Sequence, residues 1–320
     1  MHFLNPFLLK IFHSTQEFKS NKKTIVTIGT FDGVHVGHKK IIAKIVENCE
    51  TENLESVILT FFPHPRMVLN EHSDIKLLNT INEKSELLAQ NGIQNLVIQN
   101  FDKTFSELSA EEFVANVLVK QLNIQKIIIG HDHRFGKNRS ANIDDLLVFG
   151  EKYNFEVEQI SVEEIDDVAI SSTKIRNAII TGNITLANEY LGYSYEITGK
   201  IIKGKQLGRT IGFPTANIKV EENYKLIPKF GVYIVFSIIN NKAVFGIMNI
   251  GLKPTFNEKN LSIEVHFLNF DADLYNKNIS VFILKFIREE QKFDGIQALK
   301  SQIEADKLFA LKYLSILQIN

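Results

Sequence analysis

The stretch Ile25-Val-Thr-Ile-Gly-Thr-Phe-Asp-Gly-Val-His-Val-Gly-His38 decides the fold of the first half of the chain. Ile25–Ile28 is a short apolar run that reads as a strand. A glycine-rich turn follows, and Ile41, Ile42, Ile45 and Val46 then recur at helical spacing. The two histidines, His35 and His38, therefore sit around Gly37 where a helix begins. Unpaired amides and the helix dipole favour an anion at such a place. Gly37 has no Cβ, so a phosphate can approach the backbone. Imidazoles three residues apart share one face of the first turn and can both donate to phosphate oxygens. A bare H-x-G-H fits surface histidines better. With Gly29, Phe31, Asp32 and Gly33 also in place, the stretch reads as an anion site.

Outward from this stretch, short apolar runs alternate with helical patterns. Val57–Phe62, Asn95–Ile98 and Lys126–Ile129 read as strands. Glu83–Gln90 and Ser109–Leu118 read as helices, the latter with Ser109 and Glu112 placed as a capping box. Such alternation predicts βαβ units and a mostly parallel sheet, which binds ligands beyond the carboxyl ends of its strands. After Gly182 the pattern changes. Asn183–Gly192 reads as a short helix and linker. Tyr195–Ile202, Gly231–Ile239, Lys242–Ile250, Leu261–Phe270 and Ile279–Ile287 read as strands, with Asn240-Asn241 as a turn. Helical spacing returns only at Ile296, Leu299, Ile303, Leu308 and Leu311, after Asp294. A run of strands closed by one helix predicts a small antiparallel barrel. The expected division is 1–186 and 187–320.

Composition narrows the function classes. The 320 residues are 44% hydrophobic and 23% charged, as in ordinary globular chains. Lys+Arg is 36 and Asp+Glu is 37, which excludes a strongly basic nucleic-acid coat or polybasic membrane anchor as the main function. The single cysteine, Cys49, excludes an internal disulfide framework and a cysteine-based zinc site, and fits a reducing, cytoplasmic setting. No run reaches the roughly 18 apolar residues of a membrane span. The opening MHFLNPFLLKIF lacks a basic region and a small-residue cleavage site, so it is not expected to act as a signal peptide.

Four more segments carry candidate chemistry. Ile129-Gly-His-Asp-His-Arg-Phe-Gly136 follows a predicted strand. A metal reading of His131, Asp132 and His133 is disfavoured because neighbours on a strand end point in different directions. In Ile170-Ser-Ser-Thr-Lys-Ile-Arg176, Ser171 or Ser172 can cap a helix whose first turn Arg176 faces, joining Thr173 in a set of hydroxyls, free amides and a guanidinium suited to a triphosphate. Gly208-Arg-Thr-Ile-Gly-Phe-Pro-Thr-Ala-Asn217 follows Gly204 and Lys205, a basic loop able to wrap phosphates with backbone amides. Thr215 and Asn217 point to one side of an extended chain, and their oxygens suit Mg²⁺. In Leu261-Ser-Ile-Glu-Val-His-Phe-Leu268, alternation puts Ile263, Val265 and Phe267 on one face and Glu264, His266 and Leu268 on the other.

Taken together these strings resemble the bifunctional bacterial riboflavin kinase/FAD synthetase family. The stretch 29–38 resembles its nucleotidylyltransferase signature, 129–136 its G-x-[DN]-x-x-F-G loop with His133 where Phe is commoner, and 170–176 its I-S-S-T-x-I-R string. Phe61-Phe-Pro-His-Pro-Arg66 matches a segment near the flavin-nucleotide pocket. Residues 208–217 hold eight positions of the riboflavin kinase string G-R-x-x-G-F-P-T-A-N, and Asn249-Ile-Gly-Leu-Lys-Pro-Thr-Phe256, Glu264-Val-His266, Asp271–Tyr275 and Arg288–Phe293 match in the expected order. The resemblance implies a Rossmann-like α/β nucleotidylyltransferase domain plus an antiparallel β-barrel kinase domain. It implies that His35 and His38, with Arg176, hold ATP phosphates in the first domain, lined by Gly29, Phe31, Asp32, Gly37, Asp132, Ser171, Ser172 and Thr173. In the second it implies nucleotide and flavin contacts at Gly204, Lys205, Gly208, Arg209, Gly212, Phe213, Pro214 and Asn249, Mg²⁺ at Thr215 and Asn217, and Glu264 as general base. The expected substrates are riboflavin, FMN and ATP, with no nucleic acid and no membrane. Three alternatives stay open. One is a kinase whose adenylyl domain only binds nucleotide, and a second is a flavin- or nucleotide-sensing protein without catalysis. The third is an unrelated nucleotidyltransferase with an RNA-binding barrel, against which the strands' lack of interleaved basic and aromatic residues speaks.

Overall fold

The computed structural model describes residues 9–70, 73–130, 133–161, 170–204, 207–254 and 259–317. The chain forms two compact units, Met1–Ser172 and Thr173–Asn320.

The first unit is built on a six-stranded sheet. Its strands are β1 (Lys10–Phe12), β2 (Thr24–Ile28), β3 (Glu55–Phe62), β4 (Asn95–Asn100), β5 (Ile124–Gly130) and β6 (Glu156–Ile160). The order is β1-β4-β3-β2-β5-β6, and every pair is parallel. β2 is buried along its whole length, as befits a central strand covered on both faces. The chain leaves β2 toward β3 on one side, while β5 lies on the other. The loop after β2 thus opens at the topological switch point. Helix Val36–Glu52 follows that loop and ends at Asn53, which takes the left-handed conformation. Helix Ile81–Gln90 begins with a capping box of Thr80 and Glu83. The expected box at Ser109 and Glu112 is present, but the helix then continues through Phe113–Gln121 with wider turns, Leu122 N–H reaching the Val117 carbonyl. The sequence reading lacks β1 and β6. Both are edge strands, and their charged or short runs show no clear alternation.

The second unit is a closed barrel. Its strands are β7 (Glu196–Ile202), β8 (Ala216–Lys219), β9 (Gly231–Ile239), β10 (Lys242–Pro254), β11 (Lys259–Phe267) and β12 (Asn278–Arg288), in the order β10-β11-β8-β7-β12-β9. All pairs are antiparallel, and β9 closes on β10 through Asn240 and Asn241, both at positive φ. β8 is absent from the sequence reading because its four residues follow Pro214 and hold only one buried side chain, Ile218. Helix Ile184–Leu191 is capped by Asn183 and ended by left-handed Gly192. Ile263, Val265 and Phe267 are buried, while Glu264 and His266 lie on the opposite face. Leu268 shares that opposite face yet is buried. It belongs with Val232, Ile234 and Ile247 to a cluster covered by Ala310 and Leu314 of helix Ile296–Leu317. Arg288 on β12 pins this helix through a bidentate pair with Asp306, its Nη2 at 2.7 Å from Oδ2 and its Nε at 3.0 Å from Oδ1.

Candidate active sites

In the first unit the site begins with strain. Phe31 (φ 44°) and Val34 (φ 35°) both adopt positive φ, and a β-branched residue there is a genuine outlier. Each such residue costs of order 1–3 kcal/mol. Four bonds hold the loop against that cost. Lys84 Nζ donates to the Thr30 carbonyl at 2.7 Å, and Thr60 Oγ1 donates to the same oxygen at 3.2 Å. The Leu78 amide donates to Asp32 Oδ1 at 2.8 Å, and Ser172 Oγ donates to the Asp32 carbonyl at 2.9 Å. Phe31, Asp32, Val34 and His35 are buried as a result. Gly29 leaves the space that the Phe31 ring occupies, since a Cβ there would press on it.

His35 stands at the N-cap of helix Val36–Glu52, but its side chain makes no capping bond, and no acidic residue lies in the first turn. The first-turn amides thus keep their affinity for an anion. The rings of His35 and His38 stack at 3.7 Å with 19° between planes, and Phe31 leans on His38 at 4.8 Å. Nδ1 of each histidine is buried without a hydrogen-bond partner. Burial pushes His35 down to about 4, opposed by Asp32, and holds His38 well below the usual imidazole range, helped by the charges of His35 and Lys84. Both rings are therefore neutral at pH 7. Two orphaned, neutral imidazoles beside free helix amides are matched to a phosphate, which would satisfy them together.

Ser172 contributes through its bond to Asp32 rather than as a helix cap; it is the first residue of helix Ser172–Thr181, which carries Thr173 and Arg176 within the second unit. Ser171 is exposed. His64, in the 61–66 string, accepts the Arg66 amide at 3.1 Å and caps the short helix Pro65–Leu69. Asp132 lies outside the described residues.

In the second unit, register builds the site. Glu264 on β11 faces Asn217 on β8 and Asn249 on β10, so the three form a row across adjacent strands. Thr215 Oγ1 donates to Glu264 Oε2 at 2.9 Å, and Ser262 Oγ donates to Oε1 at 3.1 Å. Both carboxylate oxygens are thereby fixed in place. Asn249 Nδ2 donates to Glu290 Oε1 at 3.2 Å, and that carboxylate fills the space where Gly251 has no side chain. Gly204 packs where a Cβ would strike the Asn217 amide. A Cβ at Gly208 would overlap the Phe213 carbonyl oxygen, and the turn closes by Phe213 N–H donating to the Gly208 carbonyl at 2.8 Å. Gly212 turns at φ 88°, where glycine alone is unstrained. His266 Nδ1 lies 2.9 Å from the Pro214 carbonyl and its ring meets Phe213 edge-on at 5.3 Å. A cavity of about 400 Å³ adjoins this turn, reaching Arg209, Pro214, Thr215, Phe270, Asp273 and Tyr275. Lys205 lies outside the described residues, as do Thr255 and Phe256.

Sequence reasoning missed Lys84, Thr60, Ser262 and Glu290. Ser262 was within reach of it, being two residues from Glu264 on the same strand face. Lys84 was not, because its partner lies 54 positions away.

Comparison with known proteins identifies the two modules. The family described as FAD synthetase matches residues 17–174, and the family described as riboflavin kinase matches residues 191–314. The fold and sites thus define a two-domain, nucleotide-using transferase that joins these two modules. A bifunctional riboflavin kinase/FMN adenylyltransferase from Buchnera aphidicola subsp. Schizaphis graminum is 39% identical, covering 97% of this chain and 99% of its own. The proteins of that name from Listeria monocytogenes and Escherichia coli K12 are 38% and 35% identical, each covering more than nine-tenths of both chains. A crystal structure from Streptococcus pneumoniae, named a macrolide-efflux protein, matches with TM-score 0.85 and 28% identity over 95% of this chain and 98% of its own. No helix among the described residues is long and apolar enough to cross a membrane. The chain belongs to the bifunctional riboflavin kinase/FMN adenylyltransferase family.

Proposed function

We propose that the chain makes FMN from riboflavin and ATP in its barrel, and FAD from FMN and a second ATP in its first unit, with the functional division at 186/187. The observation that carries the kinase reading is Glu264, held by two hydroxyls in the row between Asn217 and Asn249. An alcohol is a weak nucleophile, so a fixed carboxylate assists by accepting its proton. Glu264 takes the proton of the riboflavin 5′-hydroxyl as its oxygen attacks the γ-phosphorus, and ADP leaves. Thr215 and Asn217 would hold Mg²⁺, which neutralises phosphate charge. Their hard oxygens fit it, and the Thr215 hydroxyl can donate to Glu264 while offering a lone pair.

The adenylyl step asks for less base and more alignment. The FMN phosphate is already ionised near neutral pH, so its oxygen attacks the α-phosphorus of ATP unaided and pyrophosphate leaves. Neutral His35 and His38 donate N–H to phosphate oxygens together with the first-turn amides. An ATP- and flavin-using enzyme with one shielded thiol belongs in the cytoplasm.

The test is chromatography of products after incubation with riboflavin, ATP and Mg²⁺. Glu264→Gln is expected to cut FMN formation by about 10² or more while still turning supplied FMN into FAD. His38→Ala is expected to stop at FMN. Loss of both products in either variant, or full FAD output from His38→Ala, would refute two separate sites with these roles.

A further inference from the structure

Lys84 is 3% exposed, on helix Ile81–Gln90. A lysine so placed needs a reason, since burial of an ammonium is costly unless it is used. Its Nζ donates to the Thr30 carbonyl, one residue before the first strained position of the phosphate loop. Asp32 on the loop and His38 at the helix start interact with it electrostatically. Glu83, its neighbour, accepts the Thr80 backbone amide and is taken up by the capping box. We propose that Lys84 is a positioning residue for adenylyl transfer, setting the loop Thr30–Val34 and placing a buried positive charge behind the stacked histidines. The proposal rests on the adenylyl reading of that loop.

The role has two parts with different signatures. As a hydrogen-bond donor, Lys84 fixes the carbonyl from which the loop turns. As a charge, it adds to the burial and the neighbouring His35 that hold His38 neutral, and it draws anionic phosphate toward the loop. Burial pushes Lys84 down to about 8, opposed by the nearby Asp32 carboxylate. Its charge is thus mostly present at neutral pH and falls away in mildly alkaline solution, and free-enzyme titrations appear in kcat/KM.

The test follows kcat/KM for FMN adenylylation from pH 6 to 10 in wild type, Lys84→Arg and Lys84→Met, with riboflavin phosphorylation measured on the same samples. Wild-type adenylylation should fall above pH about 8. Lys84→Arg should keep activity within about fivefold at pH 7 and lose that alkaline fall, because guanidinium stays charged. Lys84→Met should lose 30-fold or more at pH 7. The kinase profiles should coincide in all three. Lys84→Met within threefold of wild type, or Lys84→Arg retaining the wild-type alkaline fall, would overturn the proposal. If Lys84→Met fails to fold, the Lys84→Arg profile decides alone. A wild-type chain unable to adenylylate FMN would overturn the reading beneath the proposal, and is told apart because no variant is needed to see it.

Discussion

His35 shows how a single side chain ties the site to stability. Its imidazole is buried and held near 4 in the folded chain, against 6.5 when exposed. The unfolded chain therefore binds a proton that the folded chain refuses. The resulting stability is complete above pH 6.5 and is lost as pH falls toward about 4. The full effect is about 3 kcal/mol. His35→Asn should remove this component, so its urea midpoint should drop less than that of wild type between pH 7 and pH 4.5. Equal drops would show that His35 is not the proton acceptor. The neutrality of the two rings also bears on the sequence reading. Their spacing was legible, and so was their place at a helix start. Their stacking and lack of charge were not, because burial arises from Phe31 and the loop packing rather than from local sequence.

At the scale of elements, an ion pair adds to the apolar packing between helix Ile296–Leu317 and strand β12. Asp306 is 4% exposed and Arg288 is 17% exposed at their side chains, so neither is well hydrated. Removing one partner strands the other. Asp306→Ala should cost roughly 3 kcal/mol, whereas replacing both as Arg288→Met with Asp306→Leu should cost much less. Chemical denaturation of the barrel, followed through the kinase activity, distinguishes the two. An equal loss in single and double variants would contradict the argument. Helical spacing announced this helix in the sequence, and alternation announced five barrel strands. The sixth, β8, was hidden because four residues after a proline are too few to show a period. Register, which brings Asn217, Glu264 and Asn249 into one row, belongs to the long-range pairing of β8, β11 and β10 and leaves no local trace.

For the whole molecule, the decisive fact is that each compact unit carries its own strained or registered site. FMN released by one copy is a complete substrate for another. Mixing Glu264→Gln with His38→Ala should therefore restore conversion of riboflavin to FAD, at a rate that rises with the concentration of both proteins. Failure of the mixture, with each half-reaction proven separately, would show that FMN must pass within one chain. Much of this organisation was legible: the alternating half, the strand-rich half, and eight matched positions from Gly208 to Asn217. What stayed hidden was support, such as Lys84 under Thr30, Ser262 beside Glu264 and Glu290 over Gly251. Those contacts join residues whose types are ordinary wherever they stand, and only folding makes them neighbours.

Cys49 on helix Val36–Glu52 offers a practical freedom. Burial, with Glu52, Glu50 and Glu55 nearby, pushes its thiol up to about 12. Alkylating dyes need thiolate, and almost none exists there at neutral pH. A cysteine introduced on the surface of either unit can thus carry a fluorophore while the native one is left in place.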